Sequence, residues 1–300
     1  MRLFVPWAAC ALVLAPLAPF TWADAALRYH SDIQLAAILS NPELGKALAG
    51  APDMLVRIKG NKAYSSQGQI TSIMDLANQQ LTLLDAAHKR FATVAATEYS
   101  HQMKTAIPAI PEQARSMLAS LKTNLESGGT GRSEAIQGIQ ATERELVLTL
   151  EMPGPGGGAG SVPFMKMIMQ VWTADPAEAR RVPALQEFQN YTASAAYAMN
   201  PAVLLEEVVA AIPGLGDDLG KMMAEMSKTG GVALRIHMEI VAPFLNATFP
   251  LVQMNQELAE LSSDPVDDAI FQIPADFQAA PLDEILKGAA SAPPLPQFKP

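Results

Sequence analysis

The pattern of apolar and polar residues begins with a two-residue period, which is typical of strands with one buried face. Residues 27–35 alternate strictly, and residues 54–64 form a second run that is interrupted at Gly60-Asn61, as in a hairpin. Three short apolar segments follow between polar turns, at residues 69–76, 81–85 and 91–94. This part of the chain therefore predicts an antiparallel meander.

The period changes to three or four residues after Pro111, which suits the first turn of a helix. The apolar positions of this predicted helix are Ala114, Leu118, Leu121 and Leu125. We expect the helix to stop at Gly128-Gly129. Strand periodicity returns over residues 134–152 and 164–173, with the glycine-rich segment 153–160 as the hairpin loop between them.

A second helical region covers residues 183–231, where apolar stripes follow the Asn200-Pro201 start signal. Alternation then returns at residues 232–240 and, more weakly, at residues 251–261. The prediction is an α+β fold, an antiparallel sheet with a helical insertion at about residues 183–230. We expect a disordered tail at residues 289–300.

The first 25 residues are typical of a secretory signal peptide. Arg2 is followed by an almost unbroken apolar run, and small residues permit cleavage after Ala23 or Ala25. Three prolines interrupt the run, which favours a signal peptide over a transmembrane anchor. Cys10, the only cysteine, would leave with this segment. We therefore predict a periplasmic or secreted protein whose mature chain has no disulfide and no thiolate site.

The composition narrows the choice of partner. The formal net charge is −9, which argues against binding nucleic acid or anionic lipid headgroups by charge. Apolar residues make up 49% of the chain but aromatic residues only 6%, and there are 15 methionines. Because methionine is flexible and polarisable, such a chain favours recognition by burial of apolar surface. No cofactor is predicted.

Several segments carry a resemblance to a known family. Residues 56–62, 70–75 and 83–91 resemble the repeated glycine-turn and aspartate-lysine-turn hairpins of the secreted bacterial domain-of-unknown-function 4412 family, and residues 171–175 and 268–277 are similar to its later segments. The resemblance implies a relative of the periplasmic lipoprotein carriers (LolA-like). In that fold a curved antiparallel sheet, an incomplete barrel, has helices across its concave face and an apolar cavity. It implies one domain over residues 26–288, and it brings no catalytic residues.

The four histidines do not have the spacing of a metal site. They are His30, His88, His101 and His237. No metal site and no catalytic residue are predicted. A hydrolase would need the fold to bring a serine or an acid to one of these histidines, and this stays open as an alternative.

A methionine-rich surface is the remaining candidate for a ligand site. Strand periodicity places Met165, Met167, Met169 and Val171 on one face, and helical periodicity groups Met222, Met223 and Met226. These seven residues are the predicted lining of an apolar cavity for a lipid, an acyl chain or the lipidated end of a lipoprotein. Ordinary core packing is the first alternative. A non-catalytic module that binds a protein through the helical insertion is the second. The ligand and the oligomeric state stay open.

Overall fold

The structure is a computed structural model that describes residues 24–35, 53–67, 70–106, 110–154, 160–199, 202–228, 231–243 and 250–291. The predicted signal peptide up to residue 23 and the last nine residues of the predicted tail lie outside these ranges. The described part is an α+β protein built on one open sheet of twelve strands. The predicted combination of an antiparallel sheet with helices is confirmed at this level.

The strands are β1 (Ala25–Leu35), β2 (Met54–Lys59), β3 (Lys62–Gln67), β4 (Ile70–Asp75), β5 (Gln80–Asp85), β6 (Arg90–Ala95), β7 (Lys122–Ile136), β8 (Ile139–Pro153), β9 (Ser161–Ala174), β10 (Ala233–Val241), β11 (Val252–Ser262) and β12 (Gln278–Ala279). The α-helices are α1 (Ala96–Ala106), α2 (Glu112–Leu118), α3 (Pro176–Ala179), α4 (Pro183–Met199), α5 (Ala202–Ala211), α6 (Leu215–Lys228) and α7 (Leu282–Ser291). A short 3-10 helix covers Asp268–Phe271.

The strand order is β12-β6-β5-β4-β3-β2-β1-β11-β10-β9-β8-β7. All neighbours are antiparallel except the short β12, which is parallel to β6. β2 to β6 form the predicted meander, and β7 to β11 form a second one. β1 joins the two because it pairs with β2 on one side and β11 on the other. The helical block lies between β9 and β10, which are neighbours in the sheet.

The helices cover different parts of the sheet. Residues of α4 share a core cluster with β1, β2 and β11, while α1 and α7 pack on β5 and β6. α6 packs on β7, β8 and β9. No helix in the described ranges is both long and apolar enough to cross a membrane.

The helix predicted after Pro111 begins as expected but ends earlier than predicted. α2 ends at Leu118, and Leu125 lies in β7 opposite Leu148 of β8. After Leu118 the apolar residues also fit a two-residue period, and pairing with β8 decides between the two periods. Gly128-Gly129 lies inside β7 and does not end a helix.

Three further differences concern boundaries. The predicted strand 134–152 is two strands, because Gln137 and Gly138 both take positive φ and form a two-residue hairpin turn. Gln-Gly is a weaker signal for this turn than Asn-Gly, so the sequence analysis missed it. It also missed α1, whose apolar stripe is weak. α7 continues to Ser291, into the predicted tail.

Candidate functional site: the methionine face of the sheet

The central feature of β9 is a row of apolar side chains on one side of the strand. Residues two positions apart in a strand point to the same face, and directly paired residues of neighbouring strands share it. By register the row on β9 continues onto β8, β10, β11 and β1. We call this surface the methionine face; its residues are Ile33, Leu146, Leu148, Leu150, Met165, Met167, Met169, Val171, Ile236, Met238, Ile240, Val252 and Met254.

One part of the methionine face lies under α6. Met222 and Met226 of α6 belong to the cluster that holds Leu146 and Val171. A neighbouring cluster packs Leu148 and Leu150 against the residues before and within α6, which are Val209, Ile212, Leu215 and Leu219. Met165, Met167 and Met169 contact these two clusters from β9. We call this region the covered part.

Six of the seven predicted cavity residues therefore meet in the covered part, and Met223 does not. The side chain of Met223 is 61% exposed. The turn of α6 explains this, since adjacent residues of a helix point about a third of a turn apart and Met222 takes the position against the sheet. The sequence pattern grouped these methionines on one helix, but it did not show which of the two adjacent ones is buried.

The space between α6 and the strands is small. A cavity of about 50 Å³ adjoins Leu146, Val171 and Met226. Binding sites for small ligands are typically about 300–1,000 Å³, so this cavity holds water-sized molecules and no acyl chain. Arg144 closes its edge by donating to Glu225 at 2.8 Å. In the covered part, the predicted lining residues are packed as core.

The rest of the methionine face is more open. On β1, β10 and β11 its apolar side chains are partly exposed, and none of them belongs to a hydrophobic cluster of the described residues. These residues, which we call the open part, are Ile33, Met238, Ile240, Val252 and Met254. The sequence analysis recognised the alternation on β10 but did not assign it to the site. The register that places Met238 between Met169 and Met254 could not be inferred from spacing.

The opposite face of the same strands is charged. Arg235 donates to Glu257 at 2.8 Å and to Glu134 at 3.0 Å, and the guanidinium groups of Arg132 and Arg235 each lie over the ring of Trp172. The hydrogen bond to Glu134 and then that to Glu257 raise the pKa of Arg235 above its ordinary value, so Arg235 stays charged. The sheet is thus amphipathic in this region. Of the two described faces, the methionine face is the better suited to an apolar ligand, although Val147 and Ile168 are paired on the opposite face.

The histidines are held at separate places. The Nδ1 atom of His30 lies 2.8 Å from Asp53, that of His88 lies 2.8 Å from Asp85, and His237 contacts Asn255 and Glu239. His101 is exposed on α1. Among the described residues, no serine hydrogen-bonds to a histidine, and no group of three metal-binding side chains is assembled. The absence of catalysis stays a prediction.

A second concave region lies beside α4. A groove of about 600 Å³ separates this helix from the turns that follow β2 and β4. Its lining combines polar and small apolar side chains, which are Asn61, Leu76, Ala77, Gln79, Ala193, Ser194 and Ala198. The groove is where the helical insertion offers a recess to a protein partner, and that alternative also stays a prediction.

Comparison with models of known protein families found no match. Comparison with curated proteins also found none. The resemblance to secreted bacterial proteins and lipoprotein carriers therefore stays a prediction, and the functional argument depends on the geometry of the methionine face.

Proposed function

We propose that the protein binds the acyl chain of a lipid or of a lipoprotein on the open part of the methionine face. The observation that supports this is a continuous row of partly exposed apolar side chains on three neighbouring strands. Met238 and Met254 are directly paired at its centre. Single exposed apolar residues are normal on protein surfaces, but a contiguous group is typical of binding sites.

Binding would occur by burial of apolar surface. Each methylene group removed from water contributes about 0.8 kcal/mol, so a chain of several carbons is held reversibly once ordering costs are included. Methionine side chains adapt to chains of different shape. With a net charge of −9, the protein would select the apolar part of the ligand and not an anionic headgroup. No cofactor or catalytic residue takes part.

The proposal includes the architecture and the compartment that the sequence favours. We propose that the sheet is curved and that the helices line its concave side, so that α6 forms one wall beside the open part. We also propose that residues 1–23 are removed during export. The mature protein would then meet its ligand in the periplasm or outside the cell.

The test is titration of the purified, delipidated protein with a fluorescent long-chain fatty acid and with a fluorescent lipopeptide. The double variant Met238→Ser/Met254→Ser removes the centre of the open part, and we expect its affinity to fall at least tenfold. Gln253→Ser is the matched control, because Gln253 is next to Met254 on the same strand but points to the charged face. The control is expected to bind like the wild type.

A second double variant, Met238→Leu/Met254→Leu, separates loss of binding from loss of folding. It keeps the apolar surface and is expected to bind within about threefold of the wild type. No uptake by the wild type, or equal loss in Gln253→Ser and in the serine double variant, would refute the proposal.

A further inference from the structure

Gln256 is a polar residue at the border of the methionine face. On β11 it lies between Met254, which belongs to the open part, and Leu258, which is fully buried in the cluster that α4 shares with the sheet. All three side chains point to the same face, because they are two residues apart in a strand. Gln256 pairs with Ile236 of β10 and with Ser31 of β1. It therefore lies where the open part meets the region that α4 covers.

The side-chain amide of Gln256 makes only long contacts with the described residues. Its Nε2 atom lies 3.5 Å from the Oγ atom of Ser31 and 4.0 Å from the Sδ atom of Met54. Hydrogen bonds from N–H to oxygen are typically about 2.7–3.2 Å long, so both contacts are at the outer limit. No other hydrogen bond to this amide occurs in the described ranges. A partly buried donor and acceptor are thus available to a ligand on the open part.

The surroundings of this amide are uncharged. Its partners across the strands, Ile236 and Ser31, carry no charge, and neither do its neighbours of the same face on β11. Towards β8 the first charged side chain of this row is Arg144, which is three strands away and already donates to Glu225. A carboxylate that enters a partly buried site without a cation loses hydration and gains no ion pair. The site therefore suits a polar group without charge.

We infer that Gln256 determines the specificity of the lipid site by binding the uncharged carbonyl group, of an ester or an amide, that is attached to the acyl chain. The N–H of Gln256 donates to this carbonyl oxygen, and the N–H of an amide ligand also donates to the oxygen of Gln256. The chain then extends along Met254 and Val252, which lie on the same face. Four residues of a strand span about 14 Å, which is the length of this path. The inference rests on the proposed lipid binding and names the part of the ligand that is recognised.

The first experiment compares ligands on the wild-type protein and needs no substitution. Displacement of the fluorescent fatty acid at pH 7 is measured with four ligands of the same medium chain length: a methyl ester, an N-methyl amide, a carboxylate and a methyl ether. The ether lacks the carbonyl oxygen. We expect the ester and the amide to bind about fivefold more tightly than the ether, and the carboxylate to bind more weakly than the ester. Tighter binding of the amide would point to the acylated end of a lipoprotein, and tighter binding of the ester to a glycerolipid.

The second experiment removes the amide of Gln256. Gln256→Met keeps a long flexible side chain, and we expect the ester and the ether to bind this variant equally. Gln253→Met is the matched control, because Gln253 lies on the same strand but points to the charged face. The control should keep the preference for the ester. Since two ligands are compared on one protein, a general disturbance of the fold would weaken both and leave their ratio unchanged.

The third experiment observes the hydrogen bond. The infrared band of an ester with a carbon-13 carbonyl group is recorded in complex with each protein. Because a donor weakens the C=O bond, the band is expected at lower wavenumber in the wild type and in Gln253→Met than in Gln256→Met. The same band position in all three proteins would show that Gln256 is not the donor.

The outcomes separate this inference from the proposal on which it depends. Equal affinity of the wild type for the ester and the ether would overturn the role of Gln256, although binding of the chain would stand. Tightest binding of the carboxylate, or an ester preference that survives in Gln256→Met, would do the same. If none of the four ligands and no fluorescent fatty acid binds, the lipid proposal itself is refuted, and this inference with it.

Discussion

Asp85 and Glu187 are two buried acidic residues whose pKa values shift in opposite directions. Asp85 is 1% exposed and accepts hydrogen bonds from the backbone N–H of His88 and from Arg90, and it pairs with the His88 ring. Burial raises the pKa of Asp85, but the hydrogen bonds from Arg90 and His88 outweigh it, and the net pKa is below its ordinary value. No donor among the described residues hydrogen-bonds to Glu187, and burial and then the nearby Asp24 carboxylate raise its pKa. Burial alone therefore does not decide whether the pKa of a carboxyl group is raised or lowered.

The difference lies in where the partners come from. Asp85 ends β5, and its partners are in the turn and strand that follow, so the hairpin places them whenever it forms. Glu187 lies on α4, which packs against β1, and no turn beside it supplies a donor in the described residues. The Asp24 carboxylate just before β1 is a like charge that raises the pKa of Glu187 further. A local partner thus keeps one carboxylate charged, and the lack of one makes the other easier to protonate.

The largest effect is expected from Asp85→Ala. This change removes the buried acceptor that Arg90 and His88 share, while Arg90 keeps Glu284 as a second partner. Since a hydrogen bond to a charged group contributes about 1.5–3 kcal/mol, we expect a loss of about 3 kcal/mol. The measurement is the free energy of unfolding in urea at pH 7. Asp75→Ala is the matched control, since Asp75 has the same position in the preceding hairpin and accepts from the backbone N–H of Asn78 at 3.1 Å.

Asp75 is more exposed than Asp85, and no arginine among the described residues pairs with it, so its loss should cost only about 1 kcal/mol. Equal losses at Asp75 and Asp85 would show that the turn geometry, and not the buried ion pair, stabilises these hairpins.

The second prediction concerns acid. Because the pKa of Asp85 is lower in the folded than in the unfolded state, its contribution to stability is present above about pH 4 and is lost as the pH falls further. We expect the urea midpoint of the wild type to fall steeply below pH 4. In Asp85→Asn the fall should be shallower, while the stability at neutral pH is already reduced. A parallel fall in both proteins would assign acid sensitivity to other carboxylates.

The third prediction concerns Glu187, whose pKa shifts in the opposite direction to that of Asp85. Because its pKa is higher in the folded than in the unfolded state, Glu187 does not destabilise the fold at low pH, where it is protonated in both states. It destabilises the fold as the pH rises above about 4.3 and the unfolded state ionises more readily. Glu187→Met is expected to increase stability by about 1 kcal/mol at pH 7 and to have no such effect at pH 4. Unfolding in urea at both pH values checks this, and a loss of stability at pH 7 would contradict it.

The same contrast explains what could be inferred from the sequence. The turn after Asp85 was predicted because it lies between two apolar strands, and the meander was correctly predicted there, although Asp85 itself was not singled out. Glu187 has no local signal, since its burial depends on α4 packing against β1. The methionine face was likewise predictable only in part. The row on β9 followed from periodicity, but the contribution of Met238 and Met254 depends on strand register, which a single strand does not encode.

The smallest effect is expected at Asp268, which separates the effect of net charge from that of burial. Asp268 and Lys59 form an exposed ion pair, with the Asp268 side chain 75% exposed, and exposed pairs contribute little and are screened by salt. Asp268→Asn removes the same unit of negative charge as Glu187→Met. If net charge decided the result, both variants would change the free energy of unfolding by the same amount at pH 7. Because Asp268 is exposed and Glu187 belongs to the buried residues, we expect Asp268→Asn to change that free energy by less than about 0.5 kcal/mol in both low and high salt, and Glu187→Met to raise it by about 1 kcal/mol.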